Sequence, residues 1–327
     1  MSWSGRQVLV TGAGGFIGSH LTEQLVQAGA STRAFVHYNS MGAAGWLDES
    51  TVRDDIEVVA GDITDRDAVL EAMKGVEVVF HLAALIAIPY SYNAPASYVR
   101  TNIEGTLNVL QSARAHGVQR VVHTSTSEVY GTARLVPIGE DHPLQGQSPY
   151  SASKIGADKI AEAFNLSFEL PVVTVRPFNT FGPRQSARAV IPTIISQCLA
   201  RETVRLGNLQ PTRDLNYISN TTEGFLLAGS APNAVGQTIN LGSGREISIE
   251  ELARTIIRLI NPEVRIERDE HRVRPGGSEV ERLLADNTVA QTLLGWKPSI
   301  DLEEGLQLTI DWMREHLDRY RPHDYVV

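Results

Sequence analysis

Short apolar runs alternate with segments of helical periodicity along the first half of the chain. The runs are rich in β-branched residues and stand at 7–12, 31–37, 56–62, 76–84, 118–126 and 171–179. Apolar runs of this length are typical of buried strands, whereas apolar residues that recur every three or four positions are typical of helices. Because strands that alternate with helices form a parallel sheet covered on both faces, the pattern predicts an α/β fold with a doubly wound parallel sheet.

Long amphipathic helices are also predicted from the pattern, at 95–117, 148–168, 248–260 and 302–317. Gly117 ends the first of them, and Ser148 is a suitable N-cap for the second. The third begins with a capping box formed by Ser248 and Glu251. These start and stop signals support helices of the stated lengths.

The regular alternation ends near residue 180, beyond which Pro, Gly and Arg become frequent. We therefore expect a dinucleotide-binding domain at 1–180 and a smaller C-terminal α/β lobe at 181–327 that binds the substrate. The chain can cross back to the first domain. The cleft between the two lobes is the expected binding site.

Composition and charge restrict the possible partners. The chain has 327 residues, 42% of them hydrophobic, with a net charge of −9 and scattered cations, which disfavours a nucleic-acid surface. A single cysteine excludes an internal disulfide and a site of several thiolates. No apolar run is long enough for a membrane span. We expect a cytoplasmic protein with no nucleic acid, membrane or metal among its partners.

The first strand is followed by the glycine-rich segment "VLVTGAGGFIG" at 8–18. Gly12 permits a tight turn, Gly15 lets the backbone approach a pyrophosphate, and Gly18 allows close packing of helix on strand. The alternative is a plain glycine turn, but a strand precedes the segment and a helix follows it. The segment therefore predicts a dinucleotide site of Rossmann type, with Phe16 and Ile17 beside the cofactor.

Further cofactor contacts are expected where the next strands end. A carboxylate for the ribose hydroxyl is absent after the second strand, where His37, Asn39 and Ser40 stand instead. The other candidates are Asp62, Ile63, Leu82, Ala83, Ala84 and Thr124. No arginine directly follows the second strand, which favours NAD while leaving NADP open.

A Tyr-x-x-x-Lys pair, Tyr150 and Lys154, lies on one face of the helix at 148–168. A nearby ammonium stabilises a phenolate, so we expect Lys154 to lower the pKa of Tyr150 and make it a usable base. Thr126 ends a parallel strand at the edge of the sheet where ligands bind. A hydroxyl, a phenol and an ammonium placed together can bind a carbinol, take its proton and release hydride to a nicotinamide.

With these motifs, nearly the whole chain resembles the extended short-chain dehydrogenases/reductases that act on nucleotide sugars. The resemblance implies that Thr126, Tyr150 and Lys154 are catalytic, that both Tyr150 and Lys154 also contact the cofactor, and that the protein is a homodimer. It further implies substrate contacts from the segments "RPFNTFGPRQ", "AVIPT", "TRDLNYI" and "RPGGSEVERLLAD". The candidate substrate-binding residues are Ile86, Asn179, Val190, Arg213 and Arg274.

The triplet Thr126-Ser127-Glu128 bears on the reaction. In this family C4 of the sugar is oxidised first, which acidifies the C5 proton and lets a carboxylate remove it. Glu128 is then the base of a 4,6-dehydratase, with Ser127 either protonating the leaving hydroxyl or only bonding to Glu128. UDP-glucuronate decarboxylases share the triplet, while 4-epimerases usually lack the glutamate. A dinucleotide-binding protein without activity is the remaining alternative, although such a protein would be expected to lose Tyr150 or Lys154.

Three longer stretches, at 81–92, 142–158 and 181–193, resemble the 4,6-dehydratases of nucleotide-linked N-acetylglucosamine in the legionaminic acid pathway. The segment 85–89 is apolar and offers no cation to a hexuronate carboxylate, which disfavours the decarboxylase. Arg184 or Arg188 could still supply that cation from the other lobe.

Overall fold

The computed structural model describes residues 2–324. Its strands are β1 (Gln7–Thr11), β2 (Ser31–His37), β3 (Ile56–Gly61), β4 (Val78–His81), β5 (Arg120–Thr124), β6 (Val172–Pro177), β7 (Asn179–Phe181), β8 (Thr203–Leu206), β9 (Thr212–Tyr217), β10 (Thr238–Leu241), β11 (Glu246–Ser248) and β12 (Arg265–Arg268). All six predicted runs contain a strand: β2 has the predicted limits, and the other five strands end one to three residues before the end of their runs.

The helices are α1 (Phe16–Gln27), α2 (Arg66–Ala72), α3 (Ile88–Asn93), α4 (Pro95–Tyr98), α5 (Gly105–Ala115), α6 (Pro149–Phe168), α7 (Val190–Ala200), α8 (Ile218–Ser230), α9 (Ile249–Ile260), α10 (Thr288–Leu294) and α11 (Leu302–Glu315). Two capping boxes open helices, one at Ser148 before α6 and the predicted one at Ser248 before α9. The helix predicted at 95–117 differs, because a π-helical segment, Val99–Glu104, joins α4 to α5.

The main sheet has seven parallel strands in the order β10-β6-β5-β4-β1-β2-β3. The predicted doubly wound parallel sheet is therefore confirmed. Strand order reverses between β1 and β4, and in such sheets ligands bind at the carboxyl ends of the strands beside the reversal. Valines fill the strand interiors, and Val8, Val78 and Val122 are almost fully buried.

The second half of the chain contributes to both parts of the fold. A three-stranded sheet of β11, β9 and β7 and a two-stranded sheet of β12 and β8 lie beside α7, α9 and α11. Ile194, Leu252 and Ile310 belong to their separate apolar core. β10, however, lies in the main sheet next to β6, and α8 packs on α1. The exact division at residue 180 stays a prediction.

Candidate active site

The glycine loop joins β1 to α1 in the space between two strand ends. Gly12 has a φ of +71°, and a Cβ there would lie 2.8 Å from the backbone nitrogen of Ala83. A Cβ on Gly18 would collide with the carbonyl oxygen of Gly12, so the helix can start this close to the strand only with glycine. Gly15 is the N-cap of α1. The loop thus presents backbone groups and a helix N-terminus to the edge of the sheet, which suits a pyrophosphate.

The predicted cofactor residues follow the ends of neighbouring strands along one edge. His37 ends β2, Asp62 and Ile63 follow β3, Leu82, Ala83 and Ala84 follow β4, and Thr124 ends β5. Phe16 and Ile17 begin α1, while Ser40 is exposed in the loop after β2. The structure therefore brings the predicted set to the expected side of the sheet.

The side chain of Asn39, a predicted cofactor contact, is hydrogen-bonded within its own loop. Its side-chain nitrogen donates to the carbonyl oxygen of Ala43 at 2.7 Å, and its oxygen accepts from the nitrogens of Met41 and Ala43 at 3.1 Å. These bonds engage the amide within its own loop. Asn39 shapes the loop after β2, as asparagine often does in turns.

A buried chain of hydrogen bonds, which the sequence did not reveal, ties the strand ends together. The backbone nitrogen of Ala83 donates to Thr11 Oγ1, and Thr11 Oγ1 lies 2.8 Å from His81 Nδ1. His81 Nε2 lies 3.0 Å from Thr106 Oγ1, which itself donates to the carbonyl oxygen of Asn102. Because Thr106 donates its proton onward, His81 must donate from Nε2 and accept at Nδ1. Burial holds the pKa of His81 well below its usual range, which is consistent with this neutral tautomer.

Thr126 and Tyr150 meet at the end of β5. Thr126 is the N-cap of a short 3-10 turn, Ser127–Tyr130, and its hydroxyl oxygen accepts from the backbone nitrogen of Glu128 at 3.2 Å. The side chain of Thr126 lies near the phenol of Tyr150 and acts to lower its pKa. Tyr150 stands in the first turn of α6, which therefore brings its phenol to the end of β5.

Lys154 lies one turn further along α6. Its Nζ donates to the carbonyl oxygen of Thr124 at 2.6 Å, and burial lowers the pKa of Lys154 to about 8, an effect that Asp158 opposes. The expected lowering of the Tyr150 pKa is wrong for this structure. Burial raises the pKa of Tyr150, and the nearby side chain of Thr126 only partly offsets that rise. The ammonium is engaged by Thr124, and the cost of burying a phenolate dominates.

Asp158, one turn beyond Lys154, is the centre of a buried polar network. Its carboxylate accepts from His123 Nε2 at 3.0 Å, from Ser125 Oγ at 2.7 Å and from Arg176 Nη2 at 3.2 Å. Burial opposes ionisation, yet the hydrogen bond to His123 and the nearby cations hold the pKa of Asp158 below its usual range. The spacing of four residues from Lys154 was a signal for this position, but the partners on β5 and β6 were not visible in the sequence.

All five predicted substrate residues line one cavity of about 360 Å³, together with Glu128. They are Ile86, Asn179, Val190, Arg213 and Arg274. Among the described residues, Glu128 Oε2, Asn179 Oδ1 and Thr124 Oγ1 are buried polar atoms with no hydrogen-bond partner. Buried polar atoms are rarely left unpaired, so these atoms indicate polar ligands on both the cavity side and the cofactor side. The part of the cavity wall that the structure describes does not include Ser127, which is buried.

Glu279 is a cavity residue that the sequence reasoning missed. Its Oε1 lies 3.3 Å from Arg213 Nη2 and 3.5 Å from Arg274 Nη1. Arg213 also interacts electrostatically with Glu128. Of the two other arginines considered, Arg184 is paired with Glu23 at 2.9 Å outside the cavity lining, whereas Arg188 lines the cavity.

Residues 2–324 contain no group of three histidine, cysteine or carboxylate side chains placed to hold a metal ion. Over the same part of the chain, none of the helices combines the length and apolar character needed to cross a bilayer.

Comparisons with known proteins give a consistent picture of the family. The GDP-mannose 4,6 dehydratase profile matches residues 9–309. A UDP-glucose 4-epimerase of Mycolicibacterium smegmatis is 36% identical, over 94% of this chain and 98% of the relative. A UDP-N-acetyl-alpha-D-glucosaminuronate decarboxylase of Bacillus cytotoxicus is 32% identical, over 95% and 98%. The structure of dTDP-glucose 4,6-dehydratase from Streptomyces venezuelae, with NAD bound, matches with a TM-score of 0.88 at 29% identity, over 97% and 99%. Similarity to known proteins therefore does not distinguish between dehydration, epimerisation and decarboxylation.

Proposed function

Because this chain belongs to the NAD-dependent epimerase/dehydratase family of short-chain dehydrogenases/reductases, we propose that it is a nucleotide-sugar 4,6-dehydratase. The product would be a 4-keto-6-deoxy sugar. The observation that carries the proposal is the position of Glu128. Its carboxylate lines the cavity with one oxygen unpartnered, two residues after Thr126, whose side chain acts on the pKa of Tyr150.

The residues at the sheet edge fit a bound NAD. Gly12 and Gly18 allow the loop to pass close to Ala83 and the helix to start close to the strand, and Thr124 Oγ1 at the end of β5 is a buried polar atom without a partner. NAD held at this edge would supply the hydride acceptor for oxidation at C4 and the hydride for reduction at C6. Thr126 and Tyr150 hold the C4 hydroxyl, and Tyr150 removes its proton. Lys154, one turn further along α6, is proposed as the third catalytic residue, with its ammonium held by the carbonyl oxygen of Thr124. NADP is not distinguished from NAD.

The elimination step is assigned to Glu128. With a ketone at C4, the C5 proton is acidic, and Glu128 removes it as the C6 hydroxyl leaves as water. Ser127 is buried and is not part of the described cavity lining. The proposal therefore gives Glu128 both tasks: it takes the C5 proton and delivers it to the departing C6 oxygen. Ser127 supports the turn that carries Glu128.

The cavity suits a sugar joined to a diphosphate. Arg213 and Arg274 both line the cavity. They can bind phosphate oxygens there, because a guanidinium group donates two hydrogen bonds at once. Ile86, with its neighbours up to Pro89, forms an apolar part of the wall. We propose UDP- or GDP-linked N-acetylglucosamine as the substrate, supported by the resemblance of three segments to dehydratases of that sugar. A place in the legionaminic acid pathway is part of the same proposal.

Epimerisation is the second candidate, since a relative with 36% identity is a 4-epimerase. A simple epimerase needs no carboxylate at C5, so Glu128 in the cavity argues against it. Decarboxylation is the third candidate. Arg188 lines the cavity and interacts electrostatically with Tyr98, so a cation is available for a hexuronate. Arg184 is paired with Glu23 and is not among the described residues that line the cavity, which disfavours it for that role.

The test is incubation of the purified protein with UDP-N-acetylglucosamine, GDP-N-acetylglucosamine, GDP-mannose, dTDP-glucose and UDP-glucuronate, followed by mass spectrometry. If the protein is a 4,6-dehydratase, one of the hexose substrates should lose one water. Loss of carbon dioxide from UDP-glucuronate would indicate the decarboxylase. A product of unchanged mass but altered C4 configuration would indicate the epimerase.

A homodimer is part of the proposal. The long helices predicted at 95–117 and 148–168 resemble the pair that forms a four-helix bundle between subunits in this family. Val99, Leu166 and Phe168 on these segments are exposed apolar side chains in the single chain. Sedimentation at micromolar protein should give twice the mass of one chain, and a monomer there would contradict the dimer.

A further inference from the structure

A strained turn forms the sugar-facing wall of the cavity. Ala87 has a φ of +79°, a conformation that residues with a side chain rarely adopt. Ile86 and Ala87 both line the cavity, and the turn they form leads directly into α3. Backbone strain of this kind persists only where surrounding contacts impose it.

The side-chain hydrogen bonds to the Ile86 and Ala87 carbonyl oxygens come from Tyr98 on α4, and the backbone nitrogen of Ser91 also donates to Ala87. The hydroxyl of Tyr98 lies 2.5 Å from the carbonyl oxygen of Ile86 and 2.7 Å from that of Ala87, so its proton is shared between the two acceptors. Tyr98 is fully buried. Asn102, one turn further along, holds the preceding residue, Leu85, through a bond to its nitrogen and another to its oxygen.

The ring of Tyr98 also touches the catalytic group. It packs against the ring of Tyr150 at an interplanar angle of 77°, with 6.2 Å between the centroids. The hydroxyl of Tyr98 therefore sets the position of the cavity wall, while its ring packs against the phenol proposed to deprotonate the sugar. Among the described tyrosines, Tyr98 alone both bonds to the turn and packs against Tyr150.

We propose that Tyr98 is a positioning residue that fixes the sugar relative to Tyr150 by holding the Ile86–Ala87 turn in its strained form. This inference rests on the proposed function, because it concerns the sugar part of a nucleotide-sugar substrate. Tyr98 does not react with the sugar. It acts through the turn, so removal of its hydroxyl weakens recognition of the sugar and leaves recognition of the nucleotide diphosphate intact.

The test compares the full-length wild type with Tyr98→Phe, Ala87→Gly and the double variant. Glycine adopts a positive φ without strain, so it removes the need for the hydroxyl. Tyr98→Phe should weaken binding of UDP-N-acetylglucosamine about tenfold, the effect of one lost hydrogen bond, with UDP affinity unchanged. The loss should be clearly smaller in the Ala87→Gly background. Tyr90→Phe, which alters a partly exposed tyrosine packed on the other side of Tyr98, is the matched control.

The inference is overturned if the wild type and Tyr98→Phe bind the nucleotide sugar with equal affinity. It is also overturned if Tyr98→Phe loses as much sugar affinity in the Ala87→Gly background as in the wild type. Amide hydrogen exchange over residues 84–92 provides a readout that needs no substrate. Exchange should be faster in Tyr98→Phe than in the wild type and Tyr90→Phe, and unchanged exchange also contradicts the inference. If the wild type binds none of the nucleotide sugars, the proposed function fails, and the exchange comparison still decides whether the hydroxyl holds the turn.

Discussion

The ammonium of Lys154 donates a 2.6 Å hydrogen bond to the carbonyl oxygen of Thr124, joining α6 to the end of β5. This bond holds the helix that carries Tyr150 against the strand whose end leads to Thr126 and Glu128. Burial lowers the pKa of Lys154 from 10.5 to about 8. The positive charge on Lys154 therefore destabilises the folded state.

The cost of this charge gives a pH-dependent stability. A lysine whose folded pKa lies below its unfolded value destabilises the fold at low pH, and the penalty is relieved as pH rises from about 8 to 10.5. Lys154→Met lacks the charge. The stability advantage of this variant over the wild type should shrink by about 3 kcal/mol over that range in urea unfolding. Lys159→Met, which alters an exposed lysine on the same helix, should show no such trend. A constant difference for Lys154→Met would contradict the shifted pKa.

Asp158→Asn should be strongly destabilising. The change keeps the size of the side chain but removes the charge that pairs with Arg176 and accepts from His123 and Ser125. Loss of one partner from a buried ion pair costs about 3–5 kcal/mol. Chemical denaturation would measure this loss in the free energy of unfolding. Asp311→Asn breaks an exposed pair with Arg314 and should cost less than about 1 kcal/mol. Similar effects of the two changes would mean that the buried network is unimportant.

A comparison of Gly12→Ala with Gly75→Ala distinguishes the cost of a positive φ from the cost of a steric clash with neighbouring backbone. The two glycines have φ values of +71° and +72°, but only at Gly12 would a Cβ meet the backbone of Ala83. Gly75→Ala should cost about 1 kcal/mol, the usual penalty for this conformation. Gly12→Ala should cost more and should also lower NAD affinity, measured by calorimetry. Equal stability losses with NAD binding retained in both would argue against a cofactor at this loop.

Arg213→Gln should weaken UDP binding. Arg213 lines the cavity, and a charge-assisted hydrogen bond contributes about 1.5–3 kcal/mol, so its loss corresponds to roughly a ten- to hundredfold rise in Kd. Arg245→Gln, which alters an exposed arginine in the same half of the chain, is the control and should leave the Kd unchanged. Because Glu279 is also bonded to Arg213, thermal unfolding should be measured alongside. Unaltered UDP affinity would remove Arg213 from the diphosphate site.

Local sequence signals were sufficient for the sheet and for the glycine loop. The glycines at 12, 15 and 18, the Ser248 capping box and the six apolar runs act within a few residues of chain, so their structural consequences can be derived without knowledge of the fold. The substrate residues were found by resemblance rather than by pattern, and they line a single cavity.

The contacts that fix the site were not predictable, because they join distant parts of the chain. His81 bonds to Thr11, 70 residues away, and Tyr92 bonds to Ser278, 186 residues away. The pKa of Tyr150 was mispredicted for a related reason. Its distance from Lys154 in sequence is known, but its burial depends on packing that only the tertiary structure defines.

Isotope transfer tests the proposed reaction most directly. A nucleotide-linked N-acetylglucosamine carrying deuterium at C4 should give a 4-keto-6-deoxy product that has lost one water and carries the deuterium at C6. Glu128→Gln should still oxidise C4, seen as reduction of bound cofactor, but should form no dehydrated product. Deuterium retained at C4 in a product of unchanged mass, or full dehydration by Glu128→Gln, would contradict a 4,6-dehydratase that uses Glu128 as its base.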